Sequence, residues 1–201
     1  MCFCKNGDKG RDSKDNTVVD IKGHGTHSAA SAAGRKIETK LYDTFPVTIE
    51  GAAPCAEIYV YKVIWKSKKA LHQLDTDLES DFGMEFDDVV DAFKAAIEEK
   101  VDVKSISLGF GIPEVTSPYH LEAVAEGSFL AMEANILTVA ACGNKGPRNG
   151  TVRNTAPWIL TVGASDSEKK IMTTVVIDGK EFEVLFLYLH NNINISNKVI
   201  C

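Results

Sequence analysis

Ile136-Leu137-Thr138-Val139-Ala140-Ala141-Cys142-Gly143-Asn144-Lys145-Gly146-Pro147 opens as an apolar run and ends in a glycine-asparagine turn. An apolar run that short, with no alternation, reads as a strand covered on both faces. Upstream of it, Leu121 to about Ala134 predicts a helix, and Val101–Leu108 predicts a strand that ends at Gly109. Downstream, Ile159–Ala164 is another apolar strand. Further back, Asp87 or Asp88 can cap a helix that runs through Glu99, with Val89, Val90, Phe93, Ala96 and Ile97 as its apolar stripe. Before that helix, Ala56–Ile64 alternates and is rich in Ile, Val and Tyr, the pattern of a strand. Strands with helices between them predict an α/β fold: a three-layer, mostly parallel sheet flanked by helices. Reactive residues collect at the carboxyl ends of such strands. Two loops lie there, Ser107-Leu108-Gly109 and Cys142-Gly143-Asn144.

The rest of the chain is punctuated differently. Residues 1–22 are polar and read as a loop. A helix is expected from Gly25 to about Ala33, stopped by Gly34. Residues 35–54 read as irregular around Pro46, Gly51 and Pro54, and residues 66–86 as a charged loop. Residues 171–186 predict a hairpin around Asp178-Gly179.

A chain of 201 residues is long enough for one α/β domain with a real core. Its composition, 44% hydrophobic and 25% charged, is that of a globular protein. The net charge of -6 argues against a nucleic-acid or anionic-membrane partner. No apolar stretch is long enough to span a bilayer, and the polar start is unlike a signal peptide. Five scattered cysteines do not make a disulfide framework. Cys2, Cys4, His24 and His27 could in principle hold zinc, but their spacing is unlike structural zinc sites. Asp75, Asp77, Glu79 and Asp81 lack a calcium-loop pattern. No cofactor or metal is expected. A nucleotide-binding reading fails because Gly23–Gly34 has neither G-x-G-x-x-G spacing nor a P-loop lysine.

The reactive candidate is Gly23-His24-Gly25-Thr26-His27-Ser28-Ala29-Ala30-Ser31-Ala32-Ala33-Gly34. Flanking glycines leave the His24 imidazole uncovered, and the Ser/Ala run reads as a helix that another element approaches closely. This segment resembles the histidine motif of subtilisin-like serine proteases, most of all their plant, cucumisin-like branch. Three further segments agree in order: Ala53–Val63, Val101–Gly109, and Ala140–Pro147 followed by Ala156–Ser165. The resemblance covers a family-like core of about residues 9–180 within one partial domain spanning 1–201, with a divergent tail at 181–201.

The resemblance implies that His24 is the general base and acid, and that Asn144 is the side-chain donor to the oxyanion. It implies that Ser107, Leu108 and Gly109 pair with the substrate backbone, and that His27 is a noncatalytic helix residue. Peptide hydrolysis needs these types: a base near neutral pKa, and a donor aimed at developing charge. The partner implied is a peptide or protein substrate, and the location implied is extracellular. Asn149-Gly150-Thr151 and Asn194-Ile195-Ser196 then fit glycosylation sequons.

The family's aspartate motif and Gly-Thr-Ser-Met-like serine motif have no match in these 201 residues. Asp20 is near His24 in sequence, but nothing in the pattern holds it behind the imidazole. The expectation is a chain that hydrolyses nothing alone, either because it needs missing segments of a longer protease or because it is a noncatalytic peptide-binding or protease-associating fragment. Three smaller departures stand out. Lys104 sits mid-strand, where burial would cost several kcal/mol or force deprotonation. Lys100 replaces a helix-ending glycine, which a right-handed turn would tolerate. Cys142 replaces a small residue beside Asn144.

Overall fold

The computed structural model describes residues 17–41, 45–66, 82–109, 122–165, 170–185 and 196–200. In chain order the elements are α1 (His24–Ala33), β1 (Ile37–Leu41), β2 (Phe45–Ile49), β3 (Trp65–Lys66), β4 (Phe82–Gly83), α2 (Phe86–Glu98) and β5 (Val103–Ile106). There follow α3 (Ala123–Glu133), β6 (Leu137–Ala141), β7 (Ile159–Val162), β8 (Lys170–Ile177), β9 (Lys180–Leu185) and β10 (Ser196–Ile200). The chain forms two compact units, one of residues 1–36 with 50–164 and one of 37–49 with 165–201. Cys2 and Cys4, weighed and set aside as zinc ligands, the acidic loop at 75–81, and the sequon asparagine Asn194 lie outside the described residues.

The first unit is the α/β part. Its central sheet is parallel in the order β5-β6-β7, with Lys104 opposite Thr138 and Val139 opposite Leu160. The chain between β5 and β6 includes α3, as a parallel pair requires a crossover. Side chains alternate across this sheet. Lys104, Thr138 and Ala140 are buried on the face that α2 and α3 cover. On the opposite face Val103, Leu137, Leu160 and Val162 are each about half exposed, at 53%, 49%, 53% and 48%. One face of the sheet is therefore apolar and half exposed.

The helix layer is held by close approach. Phe93 of α2 is 2% exposed, and a Cβ on Gly127 of α3 would overlap its ring. Val89, Val90, Phe93, Val124, Ala131 and Ile136 form the core beneath. Trp158, just before β7, donates its indole N–H to Ala125 O at 3.0 Å and Ser128 Oγ at 2.9 Å. That bond fixes the approach to β7 against α3.

Both long helices end in the same way. After α2, Val101 N–H reaches Ala96 O and Lys100 N–H reaches Ile97 O. After α3, Ile136 N–H reaches Ala131 O and Asn135 N–H reaches Met132 O. These are Schellman closures, which demand a left-handed residue. Asn135 (φ 61) fills that place after α3, but after α2 it falls to Lys100 at φ 56. The turn at Lys100 is thus left-handed, the case in which the departure from glycine is not tolerated freely, and the lysine bears the Cβ strain that a glycine would avoid.

Other boundaries also differ from the sequence reading. α2 starts at Phe86, with Asp87 and Asp88 in its first turn rather than at the cap, where they still favour the helix dipole. Ala56–Ile64 carries no strand, only an isolated bridge at Lys62. Residues 35–54 are not irregular throughout, because β1 and β2 pair antiparallel from Ile37–Ile49 to Leu41–Phe45. In the second unit β8 and β9 form the expected hairpin, and Asp178 and Gly179 both have positive φ, as a primed turn requires.

Candidate active site

α1 begins at His24, directly after Gly23 in a left-handed conformation (φ 82). Its first turn is capped from outside by Asp20. One carboxylate oxygen accepts from Lys22 N–H at 3.0 Å and Gly23 N–H at 2.8 Å. The other accepts from Thr26 N–H at 2.7 Å and Thr26 Oγ1 at 2.9 Å. These bonds, led by that from the Thr26 amide, hold the Asp20 pKa down to about 2. A Cβ at Gly25 would only touch this carboxylate, at 3.5 Å from Oδ2, an ordinary contact distance. The Asp20 loop is itself anchored by Lys62, whose ammonium donates to Thr17 O and Val19 O, both at 3.1 Å. Lys62 also lies over the Trp65 ring, 4.9 Å from its centroid.

The far end of α1 is fixed by backbone. Gly51 N–H donates to Gly34 O, and Ala52 and Ala53 N–H groups donate to Ser31 O and Ala32 O. Gly34 and Gly51 admit this approach because a Cβ on either would collide with α1 backbone. The Ser/Ala helix is approached closely, as its composition predicts. His24 and His27 are both exposed.

The second half of the site lies at the carboxyl ends of β5 and β6. Here Asn154 is the organising residue. It is 6% exposed, and its side-chain nitrogen donates to Leu108 O and to Ala141 O, each at 2.8 Å. One amide thereby ties the segment after β5 to the end of β6. Asn154 itself has φ 54, a left-handed conformation that asparagine tolerates. Cys142 is held on both sides, its N–H donating to Val162 O and its O accepting from Arg153 N–H, each at 2.9 Å.

These bonds bring Gly109 against the next loop. A Cβ built on Gly109 would lie 3.7 Å from Gly143 Cα and 3.7 Å from Arg153 Cγ. Gly143 has φ 84, and a Cβ there would stand 3.0 Å from Arg153 Cγ. Any larger residue at Gly143 would be strained twice over. Asn144 follows this turn with an exposed side chain. The structure thus sets Gly109, which follows Ser107 and Leu108, against Gly143, which precedes Asn144. No hydrogen bond among the described residues joins His24 to either loop.

Sequence reasoning missed Asn154 and Arg153. The only signal was an asparagine within a loop, which Asn149 shares. Among the described residues, no group of three or more His, Cys, Asp or Glu gathers as metal ligands do, and no helix is long and apolar enough to cross a membrane.

The subtilase family profile, peptidase S8, matches residues 4–182. Subtilisin-like protease SBT1.6 of Arabidopsis thaliana is 37% identical over 171 residues, covering 84% of this chain and 20% of the relative. Subtilisin-like protease SBT4.9 of the same plant is 38% identical over 174 residues, covering 86% and 22%. Among solved structures, Sphericase superposes with a TM-score of 0.49 at 21% identity, over 85% of this chain and 46% of that one. S41 Psychrophilic Protease does so with 0.48 at 22% identity, over 86% and 47%. The chain spans about one fifth of the length of the curated relatives it matches. With a family match over most of its residues, the chain belongs to the subtilases, the peptidase S8 family.

Proposed function

We propose that this chain carries the proton-transfer and oxyanion half of a serine endopeptidase and binds peptide without hydrolysing it alone. The observation that supports this reading is the tie of Leu108 and Ala141 by Asn154, with Gly109 lying against Gly143, the residue before Asn144. An extended peptide added along Ser107–Gly109 uses backbone hydrogen bonds, as strand addition does. Its carbonyl then meets the Asn144 amide, and His24 shuttles the proton between nucleophile and leaving amine. Removing one oxyanion donor costs about 2.7–4 kcal/mol, a figure that comes from subtilisin itself.

No residue after Asn144 lies in a serine-nucleophile context, so the covalent step is not open to this chain. The whole protein's substrates are peptides or proteins, cleaved outside the cell, and residues 1–201 act as one partial peptidase domain. Nucleic acid, membrane, cofactor and metal have no part in this reading. Asn149 of the first sequon is exposed and accessible to glycosylation in that compartment.

The test pairs two measurements on the purified chain, with circular dichroism to show that it is folded. A fluorophosphonate probe should leave it unlabelled, and an extended peptide amide should shift backbone NMR resonances of Ser107–Gly109 and Asn144. Stoichiometric labelling abolished by His24→Ala would refute the inactivity. Shifts confined to other regions would refute the groove.

A further inference from the structure

We infer that Arg153 gives this groove a preference for peptides with a carboxylate side chain beside the bound carbonyl. The inference rests on the peptide-groove reading above. Gly109 and Gly143 contribute no side chains, so the wall where their two loops meet is built by the aliphatic stem of Arg153. A peptide lying along Ser107–Gly109 with its carbonyl at Asn144 must pass the side chain of that same residue by this junction. The side chain there ends in a guanidinium, on a chain whose net charge is -6.

The arginine is fixed at its root, and its head is not tied by a hydrogen bond among the described residues. Its N–H is bound to Cys142 O, its stem packs on the two glycines, and the residue is half-buried. Glu122, just before α3, lies within electrostatic reach of the guanidinium. Burial raises the Glu122 pKa and Arg153 opposes that rise. Among the described residues no hydrogen bond or ion pair within contact distance occupies the guanidinium fork. That fork has five donors and matches a carboxylate bidentately, which a neutral amide cannot copy.

The test uses fluorescein-labelled, amide-terminated peptides that differ only in the last residue: Glu, Gln or Lys. Fluorescence anisotropy reads their affinities at low and high salt. The Glu peptide should bind about tenfold tighter than the Gln peptide, with the gap shrinking at high salt. Arg153→Gln should abolish that gap, and Arg153→Glu should favour Lys. Glu122→Gln, which leaves Arg153 in place, should widen the gap because it removes the competing carboxylate. Equal binding of Glu and Gln peptides by the natural chain overturns the inference and leaves the groove standing. So does a preference that survives Arg153→Gln. Failure of the folded chain to bind any of the three overturns the groove and the inference together.

Discussion

Lys104→Met should stabilise the protein, and should do so more strongly in acid than in base. Lys104 is 9% exposed and lies on the covered face of the parallel sheet. Its ammonium donates to Ala92 O at 3.0 Å and sits 3.9 Å from the Phe93 ring centroid and 5.3 Å from that of Tyr61. Burial pulls its pKa down to about 7. An unfolded lysine titrates at about 10.4. Between those values the unfolded chain holds more protons than the folded one, so stability rises with pH across that window. Below about pH 7 both states are protonated, and folding bears the whole desolvation cost. The gap between the two pKa values, at about 1.36 kcal/mol per pH unit, sets a ceiling of about 4–5 kcal/mol. The aromatic contacts and remaining solvent access lower this, and we expect a gain of about 2–3 kcal/mol for Lys104→Met at about pH 6.

Methionine keeps the length of the side chain and leaves no orphan behind, because Ala92 O remains in the α2 backbone ladder. The measurement is urea unfolding followed by the fluorescence of Trp65 and Trp158, from about pH 6 to about pH 10. Thr138→Val is the internal control. Thr138 stands opposite Lys104, and its buried hydroxyl has no hydrogen-bond partner among the described residues. Removing that hydroxyl should gain about 1 kcal/mol at every pH. Natural protein and Lys104→Met with parallel pH slopes would show that Lys104 is not desolvated, and the reasoning would fail.

Gly127→Ala drives a methyl group into the Phe93 ring and should cost about 1–3 kcal/mol, read as a lowered urea midpoint with unchanged slope. Lys100→Gly relieves the left-handed closure of α2 and should gain about 0.5–1 kcal/mol, with thermal melting as the readout. Asp20→Asn weakens the cap of α1 and should cost about 1 kcal/mol near neutral pH. Because the Asp20 pKa is lowered to about 2, its contribution is complete above about pH 4 and fades as pH falls through about 2. The difference between Asp20→Asn and the natural chain should therefore narrow in acid, and hydrogen exchange of α1 amides measures it.

The parallel sheet was legible because its strands are short apolar runs separated by helices with a clear stripe. β6 and β7 fall within a residue or two of where the pattern puts them. The hairpin at Asp178-Gly179 was legible for a local reason, since two consecutive positive φ values suit that dipeptide. Ala56–Ile64 has the composition of a strand yet forms no ladder among the described residues. Alternation reports a chain suited to a pleated surface, and cannot report whether a partner strand lies beside it. The β1–β2 pair was hidden for the opposite reason. Pro46 lies in β2 and reads as a breaker, yet it stands in a two-stranded ribbon, where one edge needs no donor. Lys100 shows a further limit: the Schellman hydrogen bonds that require its left-handed φ are set by the helix, whatever residue arrives there.

The two halves of the candidate site differ in how they are encoded. The His24 half is written locally, in glycines, a capping carboxylate and a small-residue helix within a dozen or so residues. The Asn144 half depends on Asn154, whose two hydrogen bonds reach 46 and 13 residues back. No spacing rule announces such a bond, which is why Asn154 and Arg153 emerge only from the structure. The same accounting settles the role of Asp20. Both of its oxygens are committed to amides and a hydroxyl of the turn that precedes and opens α1. An orienting aspartate must instead accept the imidazole N–H and stay close as the ring gains charge. Asp20 makes no such bond to His24, and its low pKa is explained by the turn it closes. It shapes the backbone beneath the histidine, so on the reading proposed above a carboxylate that orients the ring would be a different one.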